Sequence, residues 1–156
     1  MLPQIKILYT CFDLPQLCRV GKELLPDVDF QEDPNLVFNR KYDLVFASGS
    51  IQYSENWREV VSKLSEVAQD YLFITRIETV KKAESFVTVQ RAYKIRDYGY
   101  NTQYLGWVFN KQEFIKSMEK AGMLLVREFL LGPGAKVYKA PEQSVRLGFL
   151  FKHNTR

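Results

Sequence analysis

The sequence predicts an α/β fold, a largely parallel sheet flanked by helices and finished at one edge by an antiparallel hairpin. Three observations carry this. The stretch 42–53, YDLVFASGSIQY, holds the apolar run Leu44, Val45, Phe46, Ala47, then the small residues Ser48-Gly49-Ser50, then Gln52 and Tyr53. Near-continuous apolar strands are typical of parallel sheets covered on both faces, and their ligands bind just beyond a strand's carboxyl end, where this turn falls. Strand-like and helix-like segments alternate on either side of it. The last two strand-like segments follow the final helix with only a Gly-Pro-Gly loop and polar residues between them, which implies antiparallel pairing.

Residues 5–10 (IKILYT) read as a strand, β-branched and aromatic. Pro15 then suits the first turn of a helix, where its missing N–H costs nothing, and Leu14, Leu17, Val20 or Gly21 and Leu24 follow at helical spacing until Pro26. Residues 28–31 make a short strand before the polar Glu32-Asp33-Pro34, completing a β-α-β unit. Residues 42–47 form the third strand, read as buried. Asn56 and Glu59 have the spacing of a capping box for a helix whose stripe is Val60, Val61, Leu64, Val67 and Ala68. Residues 71–77 (YLFITRI) are a fourth strand. The region 78–106 is the least regular, with an alternating piece Phe86-Val87-Thr88-Val89-Gln90, and a connection of that length is a functional lid or contains an element of its own. Asn110 and Glu113 repeat the capping pattern, Phe114, Ile115, Met118 and Ala121 face one way, and Gly122 suits a helix end. Strands at 124–131 and 145–152 close the chain.

At 156 residues, with 46% apolar and 26% charged residues, the chain is most simply one soluble domain, 1–156, able to bury a core. Cys11 and Cys18 match no metal-ligand spacing and are not a disulfide framework, so a reducing cytoplasm is the expected setting. No signal-peptide pattern is visible, and no apolar run approaches the ~20 residues of a membrane span, so no membrane partner is expected. The net charge of +4 is divided. Residues 1–78 hold 8 Lys/Arg against 12 Asp/Glu, and residues 79–156 hold 14 against 6. A basic half can attract an anionic partner or can be a solvated surface. It contains no dense Lys/Arg run, so nucleic acid ranks last among partners. No Ser-His-Asp set, phosphate loop or metal cluster can be assembled, and His153, the one histidine, reads as tail.

The element order resembles the later part of a class I S-adenosylmethionine-dependent methyltransferase, whose sheet ends in an antiparallel hairpin. The resemblance is closest to a bacterial group of methyltransferases often found near surface-polysaccharide genes. It rests on Asp13-Leu14-Pro15, on YDLVFASGSIQY, on Thr88-Val89-Gln90, on Tyr104-x-x-Trp107-x-Phe109, and on the final Val-Arg-Leu-Gly-Phe-Leu-Phe. It spans nearly the whole chain, beginning at the family's second strand. The family's first strand and its glycine-rich loop have no counterpart, since the chain has no G-x-G-x-G. That strand is central in the family, so the chain is expected to be a fragment or shortened homologue, or to pair the neighbouring strands directly, or to take a strand from a partner.

The resemblance implies S-adenosylmethionine as cofactor and assigns the site residues. Asp13, with Leu14 beside it, stands where the family binds the ribose hydroxyls through a carboxylate; its structural alternative is a helix N-cap. Glu32 and Asp33 stand near the adenine position, or are solvated turn residues. Ser48, Gly49 and Ser50 would line the cofactor, small enough for close backbone approach. Gln52 and Tyr53 would face the methyl acceptor, together with Arg76, Gln90, Tyr104 and Trp107. Aromatics there can stack on a sugar or base and Arg can pair with phosphate, while Trp107 can equally be core. The expected function is methyl transfer to a small molecule, a sugar or a glycan precursor. The missing loop predicts weak cofactor binding or none, and so an inactive form as the chain stands. The alternatives are a non-catalytic Rossmann-like module that binds a partner or a second copy through exposed sheet edges, and an RNA-directed methyltransferase.

Overall fold

In the computed structural model, residues 6–91 and 103–154 are described. The chain divides into two compact units, Met1–Arg40 and Lys41–Arg156.

The first unit holds β1 (Thr10–Phe12), α1 (Pro15–Leu24), β2 (Asp29–Gln31) and α2 (Pro34–Phe38). β1 and β2 pair in parallel, with Thr10 opposite Asp29 and Phe12 opposite Gln31. The first strand therefore starts later than its apolar run suggests. β2 offers three residues of ladder, and Ile7 and Leu8, at 80% and 84% exposure, lie outside it. Pro15 occupies the first turn of α1 as expected. Gly21 packs against Phe30, whose ring a Cβ at that position would meet. The short helix α2 was not expected. Asp33 caps it, its carboxylate accepting from the Asn35 N–H at 2.9 Å, and Pro34 supplies the first turn.

The second unit is built around β4 (Ala68–Val80). β3 (Tyr42–Ser48) runs parallel to its first part, with Leu44 opposite Tyr71 and Ser48 opposite Thr75. β6 (Gln103–Asn110) runs parallel to its end, Thr79 opposite Phe109. β8 (Val145–His153) lies antiparallel along the other edge, and β7 (Met123–Pro133) pairs antiparallel with β8, which is the expected closing hairpin. β5 (Phe86–Arg91) forms a second hairpin with β6. The irregular region is thus resolved, in its described part, into the end of β4 and this hairpin. His153 is the last residue of β8, its Nε2 3.0 Å from the Ser65 carbonyl oxygen, and is not a tail.

Helices α3 (Trp57–Val67) and α4 (Lys111–Lys120) cover the sheet face that carries Leu72, Ile74, Phe149 and Phe151. Their aromatic contacts include Trp57 with Phe109 at 4.9 Å and Phe114 with Phe149 at 5.7 Å. Because both helices use that face, the strand read as buried is only partly so. Ala47 is buried, but Leu44 and Phe46 are 55% and 54% exposed on the opposite face, in register with Tyr71 and Phe73. The two capping patterns also part. Asn110 accepts from the Glu113 N–H at 3.1 Å, whereas Asn56 makes no side-chain cap. Gly122 ends α4 at φ +80°, a conformation glycine adopts without penalty. Among the described residues no helix is long and apolar enough to cross a membrane.

Candidate functional site

β4 changes neighbours partway along one edge. β3 accompanies it as far as Thr75 and β6 joins it at Thr79. Between them a single 3₁₀ turn, Ile51–Tyr53, is wedged into the edge. At the same level β4 bulges against β8 between Ile74 and Ile77. A bulge re-aims side chains at a strand end, and here it puts Arg76 in the left-handed region at φ +61°. Gly49, just past the end of β3, is also left-handed at φ +60°. An L-residue such as arginine holds that conformation only at a cost of about 1–2 kcal/mol, so the surrounding structure must impose it.

These backbones set a compact polar group. The Gly49 N–H donates to the Thr75 carbonyl at 2.9 Å, which ties the turn to β4. A Cβ on Gly49 would lie 3.8 Å from both the Arg76 Nε and the Gln52 Nε2. The Gln52 amide, 5% exposed, donates through Nε2 to the Arg76 carbonyl at 3.4 Å. Its Oε1 is buried and has no partner among the described residues. Buried acceptors are nearly always satisfied, so this one stands out.

On the other side of the turn, Tyr53 packs edge-on against Tyr104 at 5.4 Å, and its hydroxyl donates to the Gln90 Oε1 at 3.4 Å. Gln90 lies opposite Tyr104 in the β5–β6 ladder, and its amide covers Gly106, where a Cβ would stand 2.7 Å from Nε2. Gln90 and Tyr104 also line a groove of about 710 Å³ that continues past Thr88 to Lys136 and Tyr138. Its far wall is the loop after β7, held at two points. Glu78, on β4, accepts from Ser144 Oγ at 2.6 Å, the Ala135 N–H at 3.1 Å and Arg146 Nε at 3.0 Å. Glu142 accepts the N–H groups of Lys81, Lys82 and Ala83 at 2.7–3.0 Å. Those bonds hold its carboxyl below the usual carboxylate range, with Ala83 contributing most. A separate hollow of about 350 Å³ is confined to 55–59 at the start of α3.

The structure therefore brings together Ser48, Gly49, Ser50, Gln52, Tyr53, Arg76, Gln90 and Tyr104. Trp107 is not with them. Strand alternation sets it on the face opposite Tyr104 and Gly106, where it stacks with Phe109 at 6.5 Å. Glu78, Ser144 and Glu142 were not singled out from sequence, since their partners lie about 60 residues away along the chain.

In the first unit, Asp13 follows β1, and its exposed carboxylate accepts from the Leu14 N–H at 2.8 Å. Leu14 itself stands at the N-cap position of α1 without a side-chain cap, so Asp13 does not cap that helix. Glu32 is exposed, and Asp33 is committed to α2. Burial pushes the Cys11 thiol up, the Tyr9 hydroxyl opposing and Asp13 and Cys18 adding to the shift, so it is no thiolate nucleophile at neutral pH. The buried Cys18 thiol donates to the carbonyls of Asp13 and Gln31, both at 3.3 Å.

No family model and no curated protein matches this sequence. Solved structures match by fold. An S-adenosylmethionine-dependent methyltransferase from Methanosarcina mazei superposes with a TM-score of 0.65 at 9% identity, over 92% of this chain and 81% of that one. The Burkholderia thailandensis 1,6-didemethyltoxoflavin-N1-methyltransferase, solved with 1,6-didemethyltoxoflavin and S-adenosylhomocysteine, gives 0.59 at 14% identity, over 92% and 60%. The N-terminal domain of EvdMO1, solved in the presence of S-adenosylhomocysteine and D-fucose, gives 0.61 at 8%, over 93% and 66%. With its mixed sheet and closing hairpin, the chain has the α/β, Rossmann-like fold of S-adenosylmethionine-dependent methyltransferases.

Proposed function

We propose that the chain serves in S-adenosylmethionine-dependent methyl transfer to a small acceptor, with the crevice at the end of β3 as its reacting edge. The observation that carries this is the left-handed pair Gly49 and Arg76 around a buried, unsatisfied Gln52 oxygen, in a fold shared with methyltransferases. Ligands of open α/β sheets bind at such strand ends.

The residues fit the cofactor in part. Ser48, Gly49 and Ser50 offer a small-residue wall, with the Arg76 and Gln52 side chains beside Gly49. Residues 1–156 contain no G-x-G-x-G for the amino-acid end. When bound, the cofactor supplies an electrophilic methyl group. The chain's contribution is positioning, because alignment of donor and acceptor provides much of the catalysis in such a displacement. Tyr53, held by Gln90 and Tyr104, orients the acceptor, and the groove beyond accommodates a sugar or similar small molecule. Calorimetric titration with S-adenosylhomocysteine tests the reading. A weak saturable signal that disappears in Gly49→Val is expected, and no saturable binding at millimolar ligand would remove its basis.

A non-catalytic role has one observation in its favour. β3 has β4 as its sole strand partner among the described residues, and its Leu44 and Phe46 are exposed. Such an edge can take a strand from a second copy or another partner. Sedimentation of a strict monomer at all concentrations, with no partner added, would count against it.

A further inference from the structure

We infer that the acceptor is an anion: a small hydroxylated molecule carrying a carboxylate or a phosphate, held by Arg76 and Gln52 at the end of β3. This rests on the acceptor reading above and specifies its chemistry.

Two groups in the crevice lack partners, and they ask for opposite things. The Arg76 side chain is exposed, and among the described residues no carboxylate is paired with it. The nearest acid along its strand, Glu78, is already committed to Arg146, Ser144 and Ala135. A guanidinium presents N–H donors in a fixed fork that matches carboxylate and phosphate oxygens. The second group is the buried Gln52 oxygen, which requires a donor. Arg76 Nε and Gln52 Nε2 both lie 3.8 Å from the Cβ position of Gly49, so the two side chains meet beside that glycine.

The Gln52 orientation is supported by its donor bond to the Arg76 carbonyl, which leaves Oε1 as the free atom. A ligand that satisfies both groups carries an anion beside a hydroxyl or amine. A neutral sugar answers only Gln52, and inorganic phosphate answers Arg76 first. The left-handed backbone of Arg76 is consistent with a conformation kept for what the side chain does. No packing role of an exposed arginine explains it.

The test is an amide-shift NMR titration of the full chain with four probes: D-glucuronate, glucose 1-phosphate, inorganic phosphate and D-glucose. Charge-assisted hydrogen bonds to a guanidinium predict at least about ten-fold tighter binding of the two sugar anions than of glucose, read at Ser48–Tyr53. Whether glucuronate or glucose 1-phosphate binds better identifies the anion as carboxylate or phosphate. Arg76→Gly keeps the left-handed backbone accessible and should abolish the preference over glucose, while Arg76→Lys should retain part of it. Gln52→Met should bring the sugar anions down toward inorganic phosphate. Equal binding of glucuronate, glucose 1-phosphate and glucose, or an unchanged preference in a folded Arg76→Gly, would overturn the inference. A parallel titration with S-adenosylhomocysteine separates the two readings. If it leaves all shifts unmoved while the anions bind, the anion pocket stands and the methyl-transfer reading fails.

Discussion

Replacing Arg76 by glycine should leave the protein as stable as before or slightly more so, whereas replacing it by alanine should leave the backbone cost in place and gain nothing. The position is left-handed at φ +61° in the middle of a long strand. An L-residue there carries about 1–2 kcal/mol of steric cost that glycine does not. Against this, glycine in a strand loses about 0.5–1 kcal/mol relative to alanine through its greater freedom in the unfolded chain. The arginine side chain is exposed and has no hydrogen-bond or ion-pair partner among the described residues, so its removal contributes little. The net expectation is that Arg76→Gly is more stable than Arg76→Ala by about 0–1.5 kcal/mol, the reverse of the order at an ordinary strand position. For a chain of this size that is a rise of about 2–4 °C in Tm per kcal/mol. Chemical and thermal unfolding of the two variants side by side measures it. If alanine proves the more stable by about 1 kcal/mol, Arg76 is not held left-handed and the crevice geometry built on it is wrong.

Two further outcomes concern the loop after β7. Glu78→Ala leaves Arg146 and Ser144 without their carboxylate. Arg146 is 42% exposed, so the loss should be about 2–3 kcal/mol, below that of a fully buried pair, seen as a fall of about 4–12 °C in Tm. The folded-state depression of the Glu142 carboxyl means that its contribution is fully present above the ordinary carboxylate value and is lost as pH falls through the lowered one. Amides of Lys81, Lys82 and Ala83 should therefore lose hydrogen-exchange protection, corrected for intrinsic rate, on acidification below about pH 4.5. Glu142→Gln should show that loss already at neutral pH, and equal protection in the variant would exclude the clasp.

Much of the site was legible because local chemistry wrote it. Ser48-Gly49-Ser50 announced a turn, Gln52 and Tyr53 followed it, and the structure gathers them with Arg76, Gln90 and Tyr104. The closing hairpin and the Asn110 cap were legible for the same reason. What was not legible depends on partners distant in sequence. An apolar run such as Leu44–Ala47 cannot say whether one face or both are covered, and here α3 and α4 both take the same face. The strand expected at 5–10 is found at Thr10–Phe12, where β2 offers a ladder of three residues, and Ile5 lies outside the described residues. For 78–106 the sequence leaves a lid or an element of its own open, since the pairing of β5 and β6, Gln90 opposite Tyr104, spans a connection whose residues 92–102 lie outside the described ones. The helix α2 did leave a signal in Asp33-Pro34, an N-cap followed by proline, that the polar turn reading passed over. Nothing in a non-glycine residue reveals a left-handed backbone, so the Arg76 bulge needed the fold.

The most direct measurement is a residue-resolved NMR titration of the whole chain with S-adenosylhomocysteine. Shifts concentrated at Ser48, Gly49, Ser50 and Gln52 are expected. For residues 1–156, which contain no G-x-G-x-G, the Kd should be near or above about 1 mM, equivalent to about −4 kcal/mol. Shifts confined to α4 and β7, or none at all at saturating ligand, would contradict the assignment of the β3 edge to methyl transfer.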